Sequence, residues 1–144
     1  MSRFLTIGVM VLATVLDCAA AKETVQQLEA RAEAARPEDR PGLYIEIAEH
    51  QLKAVAELFG AGKDEDAVAA VKDVVTYSER AHDAAITSRN RLKGTEIALR
   101  KMAAKLRDLK HTLSFDDQAP VQAATDRLEA LRTDLLSKMF AKGK

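Results

Sequence analysis

The sequence predicts an all-α protein: an antiparallel bundle of four main helices plus a short N-terminal helix, following a signal peptide. Three observations lead there. Apolar residues recur at alternating steps of three and four, which is helical spacing with a coiled-coil-like seam. No stretch alternates with period two over a useful length, so no sheet is expected. The segments between the apolar repeats are short and carry Gly, Pro and Asp, as tight helix connections do.

The N-terminal region has its own grammar. Arg3 precedes the apolar run Phe4 to Leu16, and Ala19-Ala20-Ala21 follows. Basic, apolar, then small is the order of an export signal. The run has 13 residues, short of the roughly 20 that a spanning helix needs. Residues 1–21 are therefore expected to be a signal peptide, with an Ala-x-Ala site releasing a chain that starts near Lys22. The segment also resembles, in part, the lipoprotein signal of bacteria, in which a cysteine after small residues is lipidated. That resemblance makes Cys18, the only cysteine, a candidate lipidation residue. Asp17 departs from the pattern, which asks for Gly or Ala there. Simple cleavage leaves the mature chain with no thiol, hence no disulfide and no thiolate ligand.

Residues 22–40 are expected to form a short helix (Val25, Leu28, Ala32, Ala35) and a linker, RPEDRPG, whose prolines break the pattern. Residues 41–144 are expected to form the bundle. Its first helix starts at Pro41, because proline fits a first turn, and carries Ile45, Ala48, Leu52, Val55 and Phe59. Gly60-Ala61-Gly62-Lys63 turns the chain, and Asp64 is the expected cap of the next helix, with Glu65 and Asp66 suiting its amide-rich end. That helix has a seam of small residues: Ala67, Val71, Val74, Ser78, Ala81, Ala85. The following one reads Leu92, Thr95, Leu99, Met102, Leu106, Leu109, Leu113. Its start lies open between a cap at Ser88 and one at Thr95, since Gly94 costs about 1 kcal/mol inside a helix. After SFDDQAP, with Asp116 or Asp117 as cap, comes the last seam: Val121, Ala124, Leu128, Leu131, Leu135, Met139.

The residues Ala56, Leu58, Phe59, Gly62 and Ala67, in AELFGAGKDEDAV, resemble one tetratricopeptide-type hairpin. There is no second copy at a 34-residue offset, so the resemblance implies one protein-binding helical scaffold and no superhelical array. The chain as a whole is similar to small exported helical proteins of bacteria, a likeness that implies no activity.

Chemical motifs are sparse. Glu79-x-x-His82 is the pair that di-metal carboxylate bundles use, but such sites need two pairs and further carboxylates. Asp108-x-x-His111 is the nearest substitute; His82 lies beside Ala81 on its seam, whereas His111 and His50 fall off theirs. A metal-binding bundle or metalloenzyme is thus the alternative reading, with no metal or other cofactor expected. Gly60-Ala61-Gly62-Lys63 lacks the earlier glycine, the following Ser or Thr and the strand of a phosphate loop. Ser78, Ser88, Ser114 and Ser137 have no patterned base, so no catalytic residues are assigned.

Net charge is zero, but its distribution is uneven. Pro41 to Ser88 holds nine acids and four bases; Arg89 to His111 holds eight bases and two acids. Two outcomes are open for the basic helix: a site for an anionic partner, or internal pairing with the acidic helices before it. With no stacking aromatic there, nucleic acid is not expected. The candidate interaction surface has two parts. One is the hairpin with Tyr44, Phe59 and Tyr77, which equally fit a core role; the other is the stripe Arg100, Lys101, Lys105 and Arg107, where Arg107, next to Leu106, equally fits a place flanking the seam. The expectation is an exported, periplasmic or extracellular, non-catalytic protein. It would meet a protein partner or an anionic envelope component. It would touch membrane only through its signal or a lipid anchor, and self-association is open to it.

Overall fold

The computed structural model describes residues 23–141. The expected signal peptide and Cys18 lie outside the described residues. Five α-helices account for nearly all of the rest: α1 Val25–Ala34, α2 Arg40–Gly60, α3 Asp64–Ser88, α4 Leu92–Lys110 and α5 Phe115–Phe140. No strand occurs among the described residues.

The helix ends show how the chain is punctuated. Thr24 and Gln27 cap α1 reciprocally: the Gln27 amide donates to Thr24 Oγ1 (3.2 Å), and the Thr24 amide donates to Gln27 Oε1 (2.8 Å). Pro41 lies in the first turn of α2, as expected. After α2, Gly62 takes φ +73°, the Lys63 amide donates to the Leu58 carbonyl at 2.9 Å and the Gly62 amide to that of Phe59 at 3.1 Å. This is a Schellman turn, and it needs the left-handed residue that glycine supplies.

Three caps differ from expectation. Asp64 lies inside α3, and Lys63 stands at its boundary without a side-chain cap. The Schellman bond reaches Lys63, so the next helix begins one residue earlier, and Asp64, Glu65 and Asp66 all sit in its first turn. Neither Ser88 nor Thr95 caps α4, which starts at Leu92. Ser88 closes α3 by donating to the Ala84 carbonyl at 2.7 Å, and Thr95 is buried. α5 begins at Phe115, so Asp116 and Asp117 are first-turn residues and Pro120 lies within the helix. Pro120 stands in the second turn, past the amides that lack intrahelical partners, so it removes one i→i−4 bond, that to the Asp116 carbonyl.

Each helix buries one stripe in a shared core. Ile47, Val74, Leu99, Leu106, Leu128 and Leu135 are fully buried. Burying each such side chain contributes roughly 1.5–3 kcal/mol. α2 packs most on α3 and α4 most on α5; α3 joins the two pairs through α5, with smaller contacts from α4 to α2 and α3. α1 packs on α2 and brings Leu28 and Val25 to the same core. The seams of α3, α4 and α5 are largely those expected. On α2 the fully buried isoleucine is Ile47, with Ile45 and Phe59 half-buried. α2 meets three other helices, so its buried stripe is wider than one seam.

Candidate interaction surfaces

The aromatic surface is built where α2 and α3 meet below the Schellman turn and beside α1. Tyr44 and Tyr77 stack with centroids 6.5 Å apart and planes at 28°. The Arg80 guanidinium lies 5.2 Å from the Tyr77 centroid and donates to Glu29 Oε1 of α1 at 2.7 Å. Burial, aided by the Glu29 carboxylate, raises the Tyr77 phenol above its ordinary value. The hydrogen bond to Glu29 holds Arg80 above the usual guanidinium range. Tyr77 is buried, while Tyr44 and Phe59 are half-buried and packed on the core. Tyr44 and Tyr77 therefore join α2 to α3, and Arg80 ties them to α1, whereas Phe59, about 22 Å further along α2, packs on the core apart from them. What they leave open is a crevice of about 340 Å³ beside Tyr44, edged by Arg40, Arg80 and Asp83. Arg40 is already engaged with the carbonyls of Ala35 and Glu33.

The basic surface is the outward face of α4. Arg100, Lys101 and Lys105 are exposed and have no ion-pair partner among the described residues; Lys93, which the sequence reading left out, joins them. Arg107 is exposed but pairs with Glu129 of α5 at 3.3 Å. At 100° per residue, Lys93, Arg100, Lys101 and Lys105 share one face, and Arg107 stands at its edge. That projection is the signal that would have included Lys93. Of the ten arginines described, eight donate to a carboxylate or a carbonyl; Arg89 and Arg100 do not.

The internal pairing open to α4 does occur, but with α5 and not with the acidic helices before it. Glu96, only 6% exposed, accepts from Arg132 Nε at 2.7 Å, and Arg132 also reaches Glu129 at 3.3 Å. Glu96, first among its neighbours, holds Arg132 above the usual guanidinium range. Lys110 donates to Gln122 at 2.6 Å. The reason is contact: α4 lies chiefly on α5, so the residues flanking its seam find α5 acceptors.

The Glu79–His82 pair is divided between separate partners. Glu79 accepts from Arg127 Nε at 2.7 Å. His82, 9% exposed, has Nδ1 2.9 Å from Asp83 and Nε2 2.8 Å from Asp134. Both contacts are donated at once only when both ring nitrogens carry protons. His50, Asp108 and His111 are exposed. Among the described residues no group of three or more His, Cys, Asp or Glu side chains is arranged to hold a metal ion. No described helix is long and apolar enough to cross a membrane.

Compared with known proteins, the chain matches no family model, no curated relative and no solved structure.

Proposed function

We propose that this chain is an exported, non-catalytic helical-bundle protein that acts through its surface as an interaction or accessory factor of the cell envelope. In this reading α2 to α5 form an antiparallel bundle. Connections of three or four residues, and contacts of α2 with α3 and α4 with α5, support that arrangement. The α2–α3 hairpin is its scaffold, and the α4 face meets an anionic partner. The observation that carries the reading is the exposed set Arg100, Lys101 and Lys105, which stands on one face of α4 with no ion-pair partner among the described residues.

The test is binding of the full chain to polyglutamate across a salt series. Wild type should bind, more weakly as salt rises. Reversing Arg100, Lys101 and Lys105 to Glu should abolish binding, whereas reversing Lys63 and Lys72, exposed cations on the other helix pair, should not. Equal binding by both variants would refute an α4 site.

One further observation favours self-association. Phe115 (87% exposed) and Phe140 (79%) are the exposed large hydrophobic residues of the described chain. Both lie on the outward face of α5, about seven turns apart. A two-fold pairing of α5 with a second copy, helices antiparallel, sets each Phe115 beside the other copy's Phe140. Light scattering over a concentration series should show a dimer that Phe115→Ser with Phe140→Ser dissolves. A wild-type monomer at every concentration rules this out.

A further inference from the structure

The cation face of α4 has a shape as well as a charge. Lys93, Ile97, Arg100, Lys101, Ala104 and Lys105 span about 18 Å along the helix and share one outward arc. Ile97 and Ala104 are half-buried between the cations, and Asp108, the one exposed acid of α4, lies on the same arc one turn beyond Ala104 and Lys105. Lys105 edges a crevice of about 420 Å³ against α2 with Glu49, Lys53 and Leu52. Cations strung along about 18 Å of helix suit an anion spread over a surface.

Residue type discriminates between two such surfaces. Protein–protein interfaces are depleted in Lys, and their strongest contacts are aromatic or Arg anchors seated in pockets. Here three of the four cations in the row are lysines, and α4 has no aromatic residue. A cluster of four or more Lys and Arg on one amphipathic helix is instead what anionic lipid surfaces attract. A short apolar side chain among the cations, as Ile97 is, adds shallow contact with the headgroup–acyl boundary.

We infer that α4 lies flat on the headgroup layer of an anionic phospholipid bilayer, with Lys93, Arg100, Lys101 and Lys105 against the lipid phosphates. This rests on the anionic-partner reading above and names the partner. α4 keeps its inward contacts with α5 in this pose, so no rearrangement of the core is required.

The experiment is co-sedimentation of the full chain with phosphatidylcholine vesicles, with and without phosphatidylglycerol. The apolar run Phe4 to Leu16 is common to every variant, and the binding to phosphatidylcholine alone is subtracted from each. The readout is the extra, salt-sensitive binding that phosphatidylglycerol produces. Each of Lys93→Ala, Arg100→Ala, Lys101→Ala and Lys105→Ala should weaken that increment about fivefold, and Lys63→Ala should leave it unchanged. Circular dichroism of each variant checks that the fold is kept. An increment indifferent to all four substitutions overturns the inference. So does polyglutamate binding that depends on α4 with no vesicle increment, which would make the partner an acidic protein and leave the proposed function standing. Failure to bind either probe overturns both.

Discussion

Tyr77 shows how one side chain links packing to proton binding. It is buried between α2 and α3, under Arg80 and near Glu29. Desolvation disfavours the phenolate, and the Glu29 carboxylate repels it further. The folded chain thus holds the phenol proton more tightly than the unfolded chain. The stability tied to this group is fully present below the unfolded value of 10.0 and is lost as pH rises from there through the folded value. The chain has two tyrosines, so Tyr44→Phe isolates Tyr77. Its ultraviolet phenolate titration should have a midpoint above 10.0 when folded and should return to about 10 in urea. Equal midpoints in the two states would contradict the burial argument. Ser78, one residue on, is fully buried, and its Oγ has no hydrogen-bond partner among the described residues. The small seam of α3 was legible in sequence, since Ala67, Ala81 and Ala85 are wholly buried. His82, beside Ala81, and Tyr77, open to a core role, are both buried with it. Each lies one residue off the expected seam, and only the breadth of packing on α3 covers them.

At the scale of elements, the turns carry the surprises. The α3–α4 connection holds two arginines in the left-handed region, Arg89 at φ 53° and Arg91 at φ 55°. Asn90 sits between them, its side chain accepting from the Arg91 amide at 2.8 Å. Nothing in SRNRLKG announces a left-handed pair, because neither position is glycine. The turn is imposed by the helices it joins. Arg91 has a compensating role: it reaches Asp39 at 3.6 Å, and its side chain lies over Gly42. Arg89 has no ion-pair partner among the described residues. A left-handed side-chain residue costs roughly 1–2 kcal/mol. Glycine's extra freedom when unfolded offsets about 0.5–1 kcal/mol of that. Arg89→Gly should therefore raise stability by about 0.5–1 kcal/mol, seen as a higher urea midpoint at unchanged slope. A lower midpoint would mean that the Arg89 side chain stabilises the crevice it lines with Ile86, Leu92 and Lys138. The uncertain start of α4 has the same origin. Gly94 weakens the local helix signal, yet it lies in the first turn with open space around it.

Across the whole molecule, helical periodicity alone determined the class, the number of helices and most of the seams. That follows because a 3.6-residue period leaves one apolar stripe per helix, and each stripe must be buried. Turn chemistry set the approximate ends, and Gly62 set one of them closely. Charge counting along the chain located the basic helix and named Arg100, Lys101 and Lys105. Whether those charges were engaged was beyond it. Pairing depends on which helix lies alongside, and the tertiary structure seats α4 on α5. There Glu129 engages Arg107, while Glu96 of α4 itself is taken by Arg132. It also decided that Tyr44 and Tyr77 stack with each other, that Glu79 and His82 take different partners, and that Lys93 completes the outward row. Each of these is a relation between residues distant in sequence or turned to one side of a helix, and local pattern contains neither the partner nor the direction.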